Sequence, residues 1–146
     1  MRLRWALGVT LLSAVTDRFG LWGPPGAVNI SWGYWPRFVA YTAQVNRFLP
    51  AAVASELAVL ATVAELALGL ALLLGVWQRL VAWATCGLLT LFAVAMTFSF
   101  GVKAPLDFSV FVDAAGALLL AAWPRKPVTR HEKPYSPDTK RPGGAL

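Results

Sequence analysis

Residues 61–80, ATVAELALGLALLLGVWQRL, hold a single carboxylic acid, Glu65, inside an otherwise apolar run. At mid-bilayer an acidic side chain costs roughly 2.5–3.5 kcal/mol on insertion scales, so its presence points to a partner or to chemistry. The chemistry open to it is that of a proton acceptor, or of a hydrogen-bond partner to a ligand or a neighbouring helix. Ala61 lies one turn before Glu65 and Gly69 one turn after, and Ala58 and Ala54 extend the stripe. Small residues at that spacing let another helix approach closely and turn Glu65 toward a helix bundle. A rise of about 1.5 Å per residue places Thr10, and Cys86 or Thr90, nearest its level. No lysine or arginine is expected at that depth, so desolvation favours a neutral, hydrogen-bonded Glu65.

A second polar group lies toward one end of the apolar segments. Asp17, Arg18, Glu56, Lys103, Asp107 and Asp113 combine four acids with two bases, enough for ion pairs with acid left over. Two readings stand for it: ion-paired packing, or an entrance for a ligand, substrate or proton. Glu56 stands nine residues before Glu65, which at about 100° per residue puts it on the opposite face of the same helix. The chain therefore carries two polar sites, or one buried site and one rim.

Four apolar segments must position these residues, at about 3–22, 51–77, 80–101 and 106–123, each near the roughly 17–25 residues of a membrane-spanning helix. Arg2 and Arg4 precede a short apolar core, but no convincing cleavage site follows LLSAV, so an uncleaved first helix is expected. The fourth segment begins with Asp107 and should have its outer end in the interface. Between the first and second segments, YWPRFVAYTAQVNRFLP repeats Trp35, Phe38, Thr42, Val45 and Leu49 at helical spacing, with Arg37, Tyr41 and Gln44 on another face. Pro36 suits a first helical turn, and a short interfacial helix is expected here. Residues 124–146 are rich in proline and charge and read as a disordered basic tail.

Of the 146 residues 58% are hydrophobic and 14% charged, too little polar surface for a soluble domain of this size. The mean hydropathy is +0.60. The expected fold is all-α: an integral membrane four-helix bundle with the interfacial helix between its first and second spans. A net charge of +6 invites a nucleic-acid reading, but basic and aromatic residues do not alternate along an element as such a site requires. The basic residues instead set topology. Nine of the 13 lysines and arginines fall on the side of the two termini and four on the other, which places both termini in the cytoplasm. Trp5, Trp77, Trp83 and Trp123 fit an inner interfacial belt, and Trp22, Trp32 and Trp35 an outer one. The lone Cys86 excludes an internal disulfide, and the only histidine, His131, lies in the tail, so no haem or metal site is expected.

ELALGLALLLGVWQRLVAW (65–83), in which glutamate precedes glycine, a leucine run, glycine and then arginine, resembles the second-helix signature of the DoxX family of four-helix bacterial membrane proteins. FVAYTAQVNRFLPAAVASELAVL and PLDFSVFVDAAGALLLAAW are similar to the family pattern too, so the resemblance covers about residues 38–123. Glu65, Gly69, Gly75 and Arg79 match its second-helix points and Asp107 the start of its fourth helix. The first helix departs from it: TDRFGLWG stands where the family often has glycine and lysine. The resemblance implies a multi-pass protein of the bacterial inner membrane. It also implies a role as membrane subunit of a quinone-linked oxidoreductase, with quinone as the ligand, a redox enzyme as partner, and oligomerisation left open.

Three functions follow from the residues and the resemblance together. In a redox-associated subunit, Glu65 accepts a proton or hydrogen-bonds a quinone carbonyl, and electrons come from the partner because the chain has no redox centre of its own. In a small proton-coupled transporter, the buried glutamate binds a proton or a cation in competition. In a scaffold or assembly factor, Glu65 bonds a neighbouring helix through Thr10 or Thr90.

Overall fold

The computed structural model describes residues 2–124, and the basic tail lies outside the described residues. Within them the chain is all-helical: α1 (Arg2–Arg18), α2 (Trp35–Val45), a 3-10 turn (Ala51–Val53), α3 (Ala54–Leu74), α4 (Gln78–Phe100), α5 (Lys103–Asp107) and α6 (Val110–Ala122). Two of these, α3 and α4, are long and apolar enough to cross a membrane.

The helix ends differ from the expected segments where backbone chemistry intervenes. The first stops at Arg18 because Gly20, Gly23, Pro24, Pro25 and Gly26 follow, and residues 19–34 form turns instead. Gly75, at a φ of 74°, ends α3: its N–H and that of Val76 both donate to the Ala71 carbonyl oxygen. The fourth segment is split. Ser109 adopts a left-handed conformation between α5 and α6, leaving α6 with 13 residues, about 20 Å of helix. Pro36 sits in the first turn of α2 as its fixed φ suggests, and Phe38, Thr42 and Val45 are that helix's buried face. Tyr41, assigned from the sequence to the polar face with Arg37 and Gln44, is half-buried.

Packing is organised as two close helix pairs, α1 with α3 and α4 with α6, linked by lighter contacts between α3 and α4 and between α1 and α6. Small residues make both pairs close. Ala82, Ala93 and Ala117 are fully buried in α4 and α6. In the first pair, a Cβ added at Gly8 would lie 2.9 Å from Leu73 and 3.0 Å from the Gly69 carbonyl oxygen, and one at Gly69 would lie 3.0 Å from Leu12. These glycines let the backbones of α1 and α3 touch, in the antiparallel sense, at the depth where Leu7, Leu11 and Leu72 form the core. At the other end of α1, Arg4 donates from Nη1 to the Leu72 carbonyl oxygen at 3.3 Å, placing a cation at the negative end of α3. A side chain at Gly75 would collide with that guanidinium.

Of the stripe expected to face the bundle, Ala54, Ala58, Glu65 and Gly69 are buried, together with Thr62 and Leu72, while Ala61 is only half-buried. The opposite face of α3 exposes Val59, Leu66, Leu70 and Leu74. Replacing Gly69 by leucine should separate α1 from α3 and destabilise the protein by about 1–3 kcal/mol. Gly87→Ala, where nothing lies within 4 Å of the new Cβ, should hold or slightly raise the melting temperature. Thermal melts of the two variants in the same detergent check this.

Candidate functional site

Glu65 is not alone at its depth. Arg18 Nη2 lies 2.7 Å from both Oε1 and Oε2 of Glu65, and Nη1 donates to Thr62 Oγ1 at 2.8 Å. Both side chains are buried, at 3% and 4% exposure. The expectation that no base reaches Glu65 is therefore corrected. The physical reason is side-chain direction. In a helix the Cα–Cβ bond tilts toward the N-terminus, so Arg18, in the last turn of α1, leans back along its own helix. Glu65 belongs to the antiparallel α3 and leans the opposite way, toward Arg18. Thr62 stands level with Arg18, and Glu65 is one turn beyond it. Counting Cα depth alone left this approach out.

The guanidinium is also enclosed by rings. Its carbon lies 3.9 Å from the Phe38 ring centroid and 5.3 Å from that of Trp32, and the two rings meet edge to face at 5.1 Å. Trp32 is thus half-buried against Arg18. Asp17, the residue before Arg18, accepts hydrogen bonds at Oδ2 from the backbone N–H groups of Ser31 (3.0 Å) and Trp32 (3.1 Å). Two adjacent residues at the end of α1 divide the work: Asp17 holds the loop and Arg18 holds α3. Asp17 Oδ1 and Arg18 Nε are buried without a hydrogen-bond partner among the described residues.

The remaining residues of the expected outer group do not gather around this pair. Lys103 and Asp107 form an exposed ion pair within α5, at 2.6 Å, and Glu56 is exposed and accepts a hydrogen bond from the Ser55 hydroxyl. Asp113 is half-buried in the first turn of α6. Of the threonines proposed as partners of Glu65, Thr90 is exposed on the far side of α4, and the Thr10 hydroxyl donates to the Ala6 carbonyl oxygen of its own helix. Thr62, three residues from Glu65 on the same helix, is the threonine that joins the site. Its hydroxyl donates to the Ala58 carbonyl oxygen and accepts from Arg18.

Beside the ion pair opens a cleft of about 1220 Å³, lined by residues of α1, α2, α3 and α4 with Phe108, Val110 and Asp113. Its walls are mostly aliphatic and aromatic. The polar groups it reaches include Thr10, Arg18, Tyr41, Glu65 and Asp113, so two residues of the expected outer group, Arg18 and Asp113, meet Glu65 and Thr10 in one space, and Thr90 does not. Tyr41 stands among rings, with centroids 5.9 Å from Trp32 and 5.8 Å from Phe100. Burial pushes its phenol above the ordinary 10.0, so it remains a neutral donor through the physiological range. Glu65, by contrast, spends both of its carboxyl oxygens accepting from Arg18. The donor role toward a ligand passes to the phenol, which makes no hydrogen bond among the described residues.

The fold and site together define a helical protein with a buried, ring-enclosed ion pair beside an apolar cleft. Comparison of the chain with family models, with curated proteins and with solved structures finds no match.

Removing one partner of a buried ion pair strands the other charge, at about 3–5 kcal/mol. Arg18→Met and Glu65→Gln should each lower stability by roughly that amount, whereas the double change Arg18→Met with Glu65→Leu should recover a large part of it. Denaturation of the three variants against the parent reads the coupling. Additive losses would rule out the pairing.

Proposed function

We propose that this protein is a multi-pass membrane protein, built on the four-helix plan of the DoxX family, whose cleft holds a quinone-type lipophile for a redox partner. The observation that carries the reading is the cleft itself: about 1220 Å³ of mostly apolar space, large enough for a ring and part of a chain, with its polar groups confined to a few points. A membrane setting is supported by the surface of α3 and α4. Only 28% and 33% of their apolar windows are buried within the protein, and Leu66, Leu70, Leu80 and Trp83, none of which lines the cleft, are exposed. Lipid gives such faces a matching solvent, which water does not. On this reading α1 and α6 complete the four spans, both termini are cytoplasmic in a bacterial inner membrane, and α2 covers the outer end.

In the cleft the division of roles follows from the geometry. Tyr41 donates a hydrogen bond to a carbonyl oxygen of the ring, and Trp32 and Phe38 offer flat apolar faces to it. Arg18 and Glu65 fix the wall and its charge. The described residues hold no group that changes redox state, so electrons come from a partner enzyme and this chain supplies binding and orientation.

Purified in mild detergent, the parent protein should carry quinone in near-stoichiometric amount, measured by mass spectrometry of the organic extract, or retain an oxidoreductase partner. Ala61→Trp, which places an indole in the cleft, should remove the quinone, while Gly87→Ala, on a residue outside the cleft lining, should keep it. A parent protein with neither quinone nor partner would overturn the proposal.

A further inference from the structure

With Arg18 committed to Glu65 and Thr62, two charged side chains remain on the cleft. Arg47 is exposed at its mouth, where Nη2 lies 3.4 Å from the Phe98 carbonyl oxygen, and its charge is solvated and screened there. Asp113 is half-buried on the α6 wall and takes part in neither of the two ion pairs among the described residues, nor does its carboxylate accept a hydrogen bond from any of them. The acid on the cleft wall left without a partner among the described residues is therefore Asp113.

The surroundings favour the opposite sign. Tyr41 and Phe108 line the same cleft with ring centroids 6.4 Å apart, and Phe98 and Trp32 line it as well. The face of an aromatic ring carries the negative end of its quadrupole and attracts cations, most of all where water is scarce. The rest of the wall is hydrocarbon. A small hydrated metal ion would find no cluster of hard ligands at Asp113, since the described residues hold no group of three or more acids, histidines or cysteines suited to a metal. An anion would meet Asp113. The complement of an apolar cleft, ring faces and one free carboxylate is an apolar molecule that carries positive charge.

We propose that the Asp113 end of the cleft binds lipophilic organic cations, an ammonium or a delocalised positive centre on a hydrocarbon or aryl body. The charge sits against Asp113 and the faces of Tyr41 and Phe108, and the body lies along the apolar walls. The inference requires only that the cleft admits ligands and does not depend on the quinone reading.

The test is equilibrium binding of tetraphenylphosphonium to the full chain in lipid nanodiscs, with tetraphenylborate, of the same shape and opposite charge, as competitor. Saturable binding is expected, weakened about tenfold or more in Asp113→Asn and in Tyr41→Ala. Asp113→Glu and Tyr41→Phe should largely retain it, since charge and ring face survive, and Asp107→Asn, outside the cleft, should match the parent. Absence of saturable binding by the parent, an unaffected Asp113→Asn, or equal competition by tetraphenylborate would overturn the proposal. A short-chain quinone titrated in the same nanodiscs separates the two readings: Tyr41→Phe should weaken quinone but spare the cation, and Asp113→Asn the reverse.

Discussion

One guanidinium ties together four parts of this fold. Arg18 ends α1, pairs with Glu65 and Thr62 of α3, lies under Phe38 of α2 and meets Trp32 of the connecting loop. A buried cation is tolerated only where its charge is balanced and its N–H groups find acceptors, so each of these contacts constrains the others. Moving α2 would uncover the cation, and moving α3 would leave it without a counter-ion. The loop is fixed by the preceding residue, Asp17, through two backbone N–H groups, so the placement of Trp32 and that of Arg18 depend on a single helical turn.

That concentration of polar contacts is matched by economy elsewhere. The close pairs rest on glycine and alanine, where Gly8 meets Gly69 and where Ala82, Ala93 and Ala117 are fully buried. Between the pairs the contacts are lighter, and the space left there, roofed by α2, is the cleft. Rigid pairs with a loose seam give a site whose walls are firm although its volume is large. The wall with the ion pair and the wall with Asp113 belong to different pairs.

Much of this was legible in the sequence. The small-residue stripe through Ala58, Glu65 and Gly69 is one face of a helix by spacing alone, and Phe38, Thr42 and Val45 repeat at the same period, so the buried faces of α3 and α2 could be read directly. The Arg18–Glu65 pair could not, because helix rise locates Cα atoms whereas a long side chain travels most of a helical turn beyond its own. The useful signal was present: an arginine closing one helix of an antiparallel pair leans toward the acid of the other. The break at Ser109 was also hidden, since serine seldom takes a positive φ and no glycine or proline marks the point. The six polar residues assigned to one outer group differ in fate for a similar reason. Sequence gives their depth, but which face of which helix they occupy depends on how the pairs rotate.

The position of Arg18 at the end of α1 also bears on biogenesis. In a chain that enters the bilayer segment by segment, α1 arrives before α3, and a cation in its last turn can wait at the water boundary with its side chain extended outward. On the proposed topology the guanidinium turns inward once α3 brings Glu65 alongside, and Asp17 can then hold the loop over it. On the multi-pass reading proposed above, the polar core is thus assembled after insertion rather than carried through it.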